Sequence, residues 1–221
     1  SARLPRWVGA WERRAFFFSS ALDPLVALAA VNLALHTHLL RRAEGNPDRG
    51  DGPSPISRAD ISGLRVFDPC VGSGTVLAAA AARGFGRLAG ADANPDFVRR
   101  ASSNLEAASL AARADCDVQL MVHDATTPYA AADLVAEAAV ARTLLVVSNP
   151  PWGNNIGEKT DGVAIVRSVT RQFAGATFCW LVNKLAVQAL RCTPGVQVLC
   201  HVPFGGVELV LCECVVADPD T

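Results

Sequence analysis

Asn149-Pro150-Pro151-Trp152 directly follows the apolar run Leu144-Leu145-Val146-Val147-Ser148. It places an amide, a backbone carbonyl and an aromatic face at the end of an expected strand. A residue ahead of a proline is driven out of the helical region, and each proline locks its own φ near −65°, so the segment is extended and stiff. The Asn149 side chain and the Pro150 carbonyl can accept hydrogen bonds from one NH2 group, while Trp152 offers a surface on which a base can stack. These groups suit methylation of a planar amine. The same tetrapeptide also serves as a rigid strand-to-loop turn, and a second motif is needed to separate the two uses.

That motif lies about eighty residues upstream, in Val66-Phe67-Asp68-Pro69-Cys70-Val71-Gly72-Ser73-Gly74-Thr75 followed by the helix-forming stretch Val76 to Arg83. It reads as strand, glycine loop, helix. Glycines at such a turn let backbone approach a ligand closely, and the helix N-terminus adds donors and a positive dipole end. A Walker loop needs a Lys before the Ser or Thr, and a dinucleotide fingerprint wants a third Gly or Ala where Leu77 stands, so both nucleotide readings weaken. Asp68 can receive an amino group or hold a cationic ligand through water; S-adenosylmethionine carries both an ammonium and a sulfonium. The next strand, Leu88 to Ala91, ends in Asp92-Ala93-Asn94-Pro95, where an acid about twenty positions further on can take both ribose hydroxyls. A third strand, Val118 to Val122, ends in His123-Asp124, and Asp124 can accept from an adenine amino group. A single strand-end Asp is ordinarily a cap or turn residue; three after successive strands form a pattern.

Asp68-Pro-Cys-Val-Gly-Ser-Gly-Thr, Gly90-Ala-Asp92-Ala-Asn94-Pro and Ser148-Asn149-Pro-Pro-Trp-Gly153 resemble the motifs of class I S-adenosylmethionine-dependent amino-methyltransferases, most closely the THUMP-associated RNA guanine-N2 methyltransferases. The resemblance is specific from about Leu64 to Gly153 and looser upstream, where Arg14-Ala-Phe-Phe-Phe-Ser-Ser-Ala-Leu-Asp-Pro-Leu stands where relatives carry a segment closing over the cofactor. It implies an α/β, Rossmann-like fold: a mostly parallel seven-stranded sheet with an antiparallel last strand and helices on both faces. It implies S-adenosylmethionine as cofactor, held by Asp68, Pro69, Gly72, Gly74, Thr75, Asp92, Asn94 and Asp124. Catalysis falls to Asn149, Pro150 and Trp152, and substrate binding to Pro151, Trp152 and Gly153. The implied substrate is RNA, tRNA or another structured RNA, captured with an N-terminal RNA-binding domain missing from this chain; some relatives also need a small zinc-binding activator subunit. An adenine-N6 methyltransferase of DNA or RNA uses the same tetrapeptide logic. A protein glutamine methyltransferase and an inactive cofactor-binding scaffold stay open as well.

The elements that must position these residues follow from period and punctuation. Strands are expected near 64–68, 87–91, 118–122 and 143–148, with helices over 74–83, 95–108 and 130–141 between them, the signature of a parallel, doubly wound sheet. Further on come a helix within Thr160 to Phe173, a strand Thr177 to Leu181, a helix Asn183 to Arg191, and strands Val196 to His201 and Val207 to Val216. Pro203-Phe204-Gly205-Gly206 is too short a link for a parallel crossover, so the last strand should run antiparallel. Upstream, Asp23 is a candidate N-cap for a helix reaching Arg42, with Pro24 in its first turn; His36 and His38 on it are expected to be exposed or capping. The domain reading is a segment and helix over 1–43 packed on the rest, a flexible loop over 44–63 rich in Gly, Pro and charge, and the methyltransferase domain over 64–221.

Composition bounds the remaining choices. The chain has 221 residues, half of them apolar, enough for one large core and no second catalytic domain. The longest apolar stretches, Leu25 to Leu35 and Val76 to Ala82, fall short of the roughly twenty residues a bilayer requires, so no membrane span is expected. Seven cysteines without a CxxC pair read as buried thiols in a reducing compartment, the cytoplasm or alternatively the nucleus, with no metal site. A net charge of −1 is low for unaided capture of a phosphate backbone, although Arg6, Arg13, Arg14, Arg41 and Arg42 cluster near the beginning. Met121 is the only methionine and the chain opens on Ser1, which fits either a removed initiator or a truncated chain; the family resemblance, with its RNA-binding THUMP domain ahead of the catalytic one, implies truncation.

Overall fold

The runs at 65–68, 144–148 and 177–182 have no polar face, and the fold buries every residue in them on both sides of one sheet. The computed structural model describes residues 6–16, 22–44, 56–108, 116–130, 142–151, 162–204 and 207–214. Along the chain these form α1 Arg6–Glu12, α2 Pro24–Glu44, α3 Arg58–Ser62, β1 Arg65–Asp68, α4 Thr75–Arg83, β2 Arg87–Asp92, α5 Pro95–Ala107, β3 Asp117–Val122, β4 Leu144–Ser148, α6 Gly162–Gln172, β5 Thr177–Val182, α7 Lys184–Arg191, β6 Val196–Phe204 and β7 Val207–Cys214. The helix expected over 130–141 falls almost wholly outside the described residues.

The seven strands stand in the order β3-β2-β1-β4-β5-β7-β6. The first four pairings are parallel, while β7 runs antiparallel to both β5 and β6. Strand alternation sends Val66, Leu88, Leu145, Val147 and Leu181 into one core with α2, α4 and α5, and Phe67, Ala89, Val146, Phe178 and Trp180 into a second with α6 and α7. Helices therefore cover both faces, as a buried parallel sheet requires.

Several expectations are corrected. The sixth strand runs past His201 to Phe204; it is the sheet edge, where a proline such as Pro203 need not donate to a ladder. The segment read as a loop over 44–63 ends in α3, held by a capping box in which Ser57 and Asp60 serve each other's backbone N–H. Helix α2 is longer than its apolar stretch: by length and composition Pro24–Arg42 can cross a membrane. In the fold, however, Ala27, Ala30, Val31, Ala34 and Leu35 are wholly shielded and α2 packs on α4, β4 and β5, as a core helix does. Asp23 caps it, accepting from the N–H groups of Leu25 at 2.7 Å and Val26 at 3.2 Å. His38 is buried rather than exposed, with Nδ1 3.2 Å from Thr177 Oγ1. Cys179 and Cys212 are buried thiols, but Cys192 and Cys200 are exposed.

Candidate functional site

The strand order reverses at β1, which has β2 on one side and β4 on the other. A crevice forms outside the carboxyl ends of the strands at such a point. Asp68 ends β1, Asp92 ends β2, and Asn149 follows the last residue of β4, so the sheet gathers the upstream acids and the tetrapeptide at one edge.

After Asp68 the backbone turns into the glycine loop. Val71 N donates to Ala91 O at 2.8 Å and Gly74 N to Val71 O at 2.7 Å, folding the loop over the end of β2. Gly72 and Gly74 have φ of 50° and 88°, the left-handed region that favours glycine. Gly74 is the N-cap of α4 and brings no side-chain acceptor, which leaves the first-turn N–H groups without a side-chain cap. Beneath the loop, Gly90 is required by space: a Cβ there would lie 2.8 Å from Val71 Cγ2, 2.9 Å from Leu120 Cδ2 and 3.0 Å from Leu77 Cδ1.

The acids differ in their surroundings. Asp68 is 2% exposed; its Oδ1 accepts from Ser148 Oγ at 2.6 Å and from Cys70 N at 3.1 Å. Burial pushes its carboxyl up to about 7, against the pull of those two bonds, with Asp92 adding a further push. Asp92 is half-buried and ties the loop down, accepting from Gly72 N at 3.1 Å and Asn94 N at 3.0 Å; burial raises its carboxyl as well. Asn94 caps α5 through Asp96 N at 2.9 Å. Asp124 is exposed, and its Oδ1 accepts from the backbone and hydroxyl of Thr126 at 2.9 and 2.7 Å, which hold its carboxyl below the ordinary range. The chain beyond it is anchored by Tyr129, whose ring packs edge-on against Phe67 at 5.4 Å and whose N–H donates to Gln172 Oε1 at 2.8 Å.

Of the acceptor motif, Asn149 is half-buried, Pro150 buried and Pro151 exposed; Trp152 and Gly153 lie outside the described residues. Sequence reasoning passed over three residues that join the parts. Ser148 links β4 to Asp68 across 80 positions. Trp11, fully buried in α1, donates from Nε1 to Thr75 Oγ1 at 3.3 Å. Asn104, also fully buried, exchanges both hydrogen bonds with the Phe16 backbone and donates to Ser73 O, all at 3.0 Å. The upstream segment is thus sewn to the underside of the glycine loop. An Asn between Ala101 and Leu105 on the buried stripe of α5 was the available signal, since a polar residue there demands partners. One of the clustered N-terminal cations is not on a solvated face: Arg14 is buried, with Nη1 donating to Trp11 O at 2.9 Å and its guanidinium 5.2 Å from the Trp11 ring centre.

No protein-family model and no curated protein matches this sequence. Solved structures do. TrmN from Thermus thermophilus superposes with a TM-score of 0.54 at 19% identity, over 95% of this chain and 52% of that one. A predicted N6-adenine-specific DNA methylase from Listeria monocytogenes gives 0.60 at 14% identity, over 92% and 54%. PH1948 from Pyrococcus horikoshii, a candidate RNA methyltransferase, gives 0.59 at 13% identity, over 97% and 100%. The fold is that of the class I methyltransferases. This chain spans about half the length of the first two of these. With such a fold, the row of strand-end acids and the glycine loop occupy the edge where ligands of open α/β sheets bind.

Proposed function

We infer that the chain is the catalytic part of an S-adenosylmethionine-dependent N-methyltransferase acting on an exocyclic amine of a nucleobase, guanine N2 in tRNA or another structured RNA. The observation that carries this reading is the juxtaposition of two motifs 80 positions apart, Asp68 and Ser148-Asn149, in a direct 2.6 Å contact at the sheet's switch point. The residues fit the cofactor. Asp68 offers a buried carboxylate with Oδ2 bonded to none of the described residues, Asp92 offers a second at the neighbouring strand end, and α4 presents an N-terminus without a side-chain cap. When bound, S-adenosylmethionine supplies a methyl group on a sulfonium, already a good leaving group, so the protein's task is alignment more than acid-base chemistry.

An aromatic amine is a poor nucleophile because its lone pair is delocalised into the ring. The Asn149 side-chain oxygen and the Pro150 carbonyl accept the two amine hydrogens, and this favours localising the lone pair toward the methyl. The sequence assigns Trp152 as the surface on which the base stacks, with Pro151 and Gly153 as its neighbours in substrate binding. The proton leaves after transfer, so no general base is required. The low net charge of −1 and the engagement of Arg14 by Trp11 support a reading in which an N-terminal RNA-binding domain carries the phosphate contacts, and a small zinc-binding activator is a further partner on this proposal.

Adenine N6 is the second acceptor, supported by the likeness to the Listeria protein. Methylation of total RNA and of adenine-containing DNA, followed by nucleoside analysis, separates the two. Asn149→Ala should abolish transfer while donor binding persists; wild-type turnover in that variant would sink the mechanism.

A further inference from the structure

We propose that Ser148 is a positioning residue of this site, its hydroxyl coupling donor capture at Asp68 to the placement of Asn149. This deepens the methyltransferase reading and rests on it. The Ser148 hydroxyl and the Asp68 carboxyl are both buried, at 0% and 2% exposure, and meet at 2.6 Å, the range of a charge-assisted O–H···O bond. Serine has one hydrogen to donate, and Asp68 takes it. The register of the parallel pair β1–β4, from Arg65↔Leu144 to Phe67↔Val146, brings the two strand ends within one residue of each other, and the bond then pins them together. Asn149 is the next residue, and two prolines stiffen the chain beyond it, so its position follows from where Ser148 is held.

The groups facing Asp68 explain why the bond matters to ligand capture. From β2 comes Asp92, of the same sign; from the loop come the Cys70 N–H, which donates, and the Cys70 thiol, which is held far above its ordinary range by burial and by the negative charge of Asp68 and Asp92. Asp124 adds to the negative field at Cys70. Burial and Asp92 both oppose ionisation of Asp68, and Ser148 is the larger of the two hydrogen bonds that favour it. A site with this balance attracts a cation such as the donor's ammonium, and Ser148 keeps the carboxylate available to receive it.

The test uses the full chain with Ser148→Ala and Ser148→Thr. Binding of S-adenosylmethionine and S-adenosylhomocysteine is titrated calorimetrically from pH 6 to 9, and single-turnover transfer is measured at saturating donor. Losing a hydrogen bond that favours the carboxylate raises its pKa, and a rise of about one unit from about 7 cuts the ionised fraction at pH 7 from about a half to about a tenth, so Ser148→Ala should weaken donor binding there about 5-fold. It should also move the pH midpoint of binding upward by about one unit and slow transfer at saturation. Ser148→Thr should restore the midpoint and most of the rate. An unshifted midpoint in Ser148→Ala, whatever happens to the rate, overturns the proposal, because a merely structural hydroxyl would not move it. If Ser148→Ala does not fold, Ser148→Cys, a weaker donor of similar shape, must show the same upward shift. Absence of donor binding by the wild type at every pH would instead refute the methyltransferase reading itself.

Discussion

Asp68→Asn separates what the buried carboxyl costs the fold from what it offers a ligand. The asparagine oxygen can accept the same bonds from Ser148 Oγ and Cys70 N that Asp68 Oδ1 accepts at 2.6 and 3.1 Å, so shape is kept and charge is removed. In the folded chain burial lifts the Asp68 carboxyl from 3.8 to about 7. An acid whose folded pKa is raised contributes its full stability below the unfolded value and loses it as pH rises through the folded value. The wild type should therefore lose stability on this account between about pH 4 and 7. At roughly 1.4 kcal/mol per pH unit the loss is on the order of 4 kcal/mol, an upper value that relaxation and water entry reduce to about 2–4 kcal/mol. Asp68→Asn should thus be more stable than wild type by about 2–4 kcal/mol at pH 8 and equal to it near pH 4, with a Tm gain at pH 8 of roughly 5–15 °C for a chain of this size. Urea unfolding of both proteins at pH 4.5, 6 and 8 reads the difference, in which other titrating groups largely cancel. The variant should also lose affinity for S-adenosylmethionine. A gain of equal size at acid and alkaline pH, or none at pH 8, would refute the reasoning.

Two other perturbations follow from the packing. Gly90→Ala forces a methyl against Val71, Leu77 and Leu120 at 3.0 Å or less and should cost about 1–3 kcal/mol by overpacking; because Val71 belongs to the glycine loop, donor affinity should fall with it, and calorimetric titration beside urea unfolding shows whether the two effects move together. His38 is buried and its ring is depressed to about 4, by burial first and then by Arg42 and Arg41. Its folded pKa lies below the unfolded one, so the neutral ring supports the fold above about pH 6.5 and that support is lost as pH falls toward 4. After allowance for partial solvent screening the effect is about 2 kcal/mol. Because Asp68 slopes the other way over the same window, the effect is read as a difference: His38→Leu should gain stability relative to the wild type as pH falls from about 6.5 toward 4, and a difference in urea midpoints that does not change with pH would contradict the assignment.

Much of the fold was legible because a doubly wound sheet writes itself in long apolar strands separated by amphipathic helices. Seven strands and their direction were readable, and most observed boundaries fall within a residue or two of the expected ones. The misreadings share a cause. Pro203 looks like a terminator unless the strand is known to be an edge, and Ser57-Arg58-Ala59-Asp60 is a capping-box signature hidden behind a stretch rich in glycine, proline and charge. His38 looks solvent-facing until Thr177 arrives from a strand 139 positions away. Arg14 reads as a free cation until Trp11 folds beneath it. In each case local chemistry was visible and the tertiary partner was not. Of the candidate site, the placement of the acids, glycines and Asn149 at one sheet edge was legible from type and spacing; the contacts of Ser148, Trp11 and Asn104 were not.

The contact between Asp68 and Ser148 joins two motifs that stand 80 positions apart in the chain. Periodicity fixes each strand but not its neighbours, and β1 meets β4 because the winding reverses there. That pairing buries an acid beside a second acid, Asp92, and beside the stiff segment that begins at Asn149. For the free protein the arrangement is costly; an amide at position 68 would satisfy the same bonds without charge. On the proposed function a cation completes the site and offsets the cost, so the stability that Asp68→Asn gains in the free state and the binding energy it forfeits should come from the same buried charge. The thermal shift produced by S-adenosylmethionine at pH 8 should accordingly be large in the wild type and small in Asp68→Asn, with the Tm values of the two saturated proteins closer together than those of the free ones. A donor that raised both Tm values equally would show that the buried charge is not what it binds.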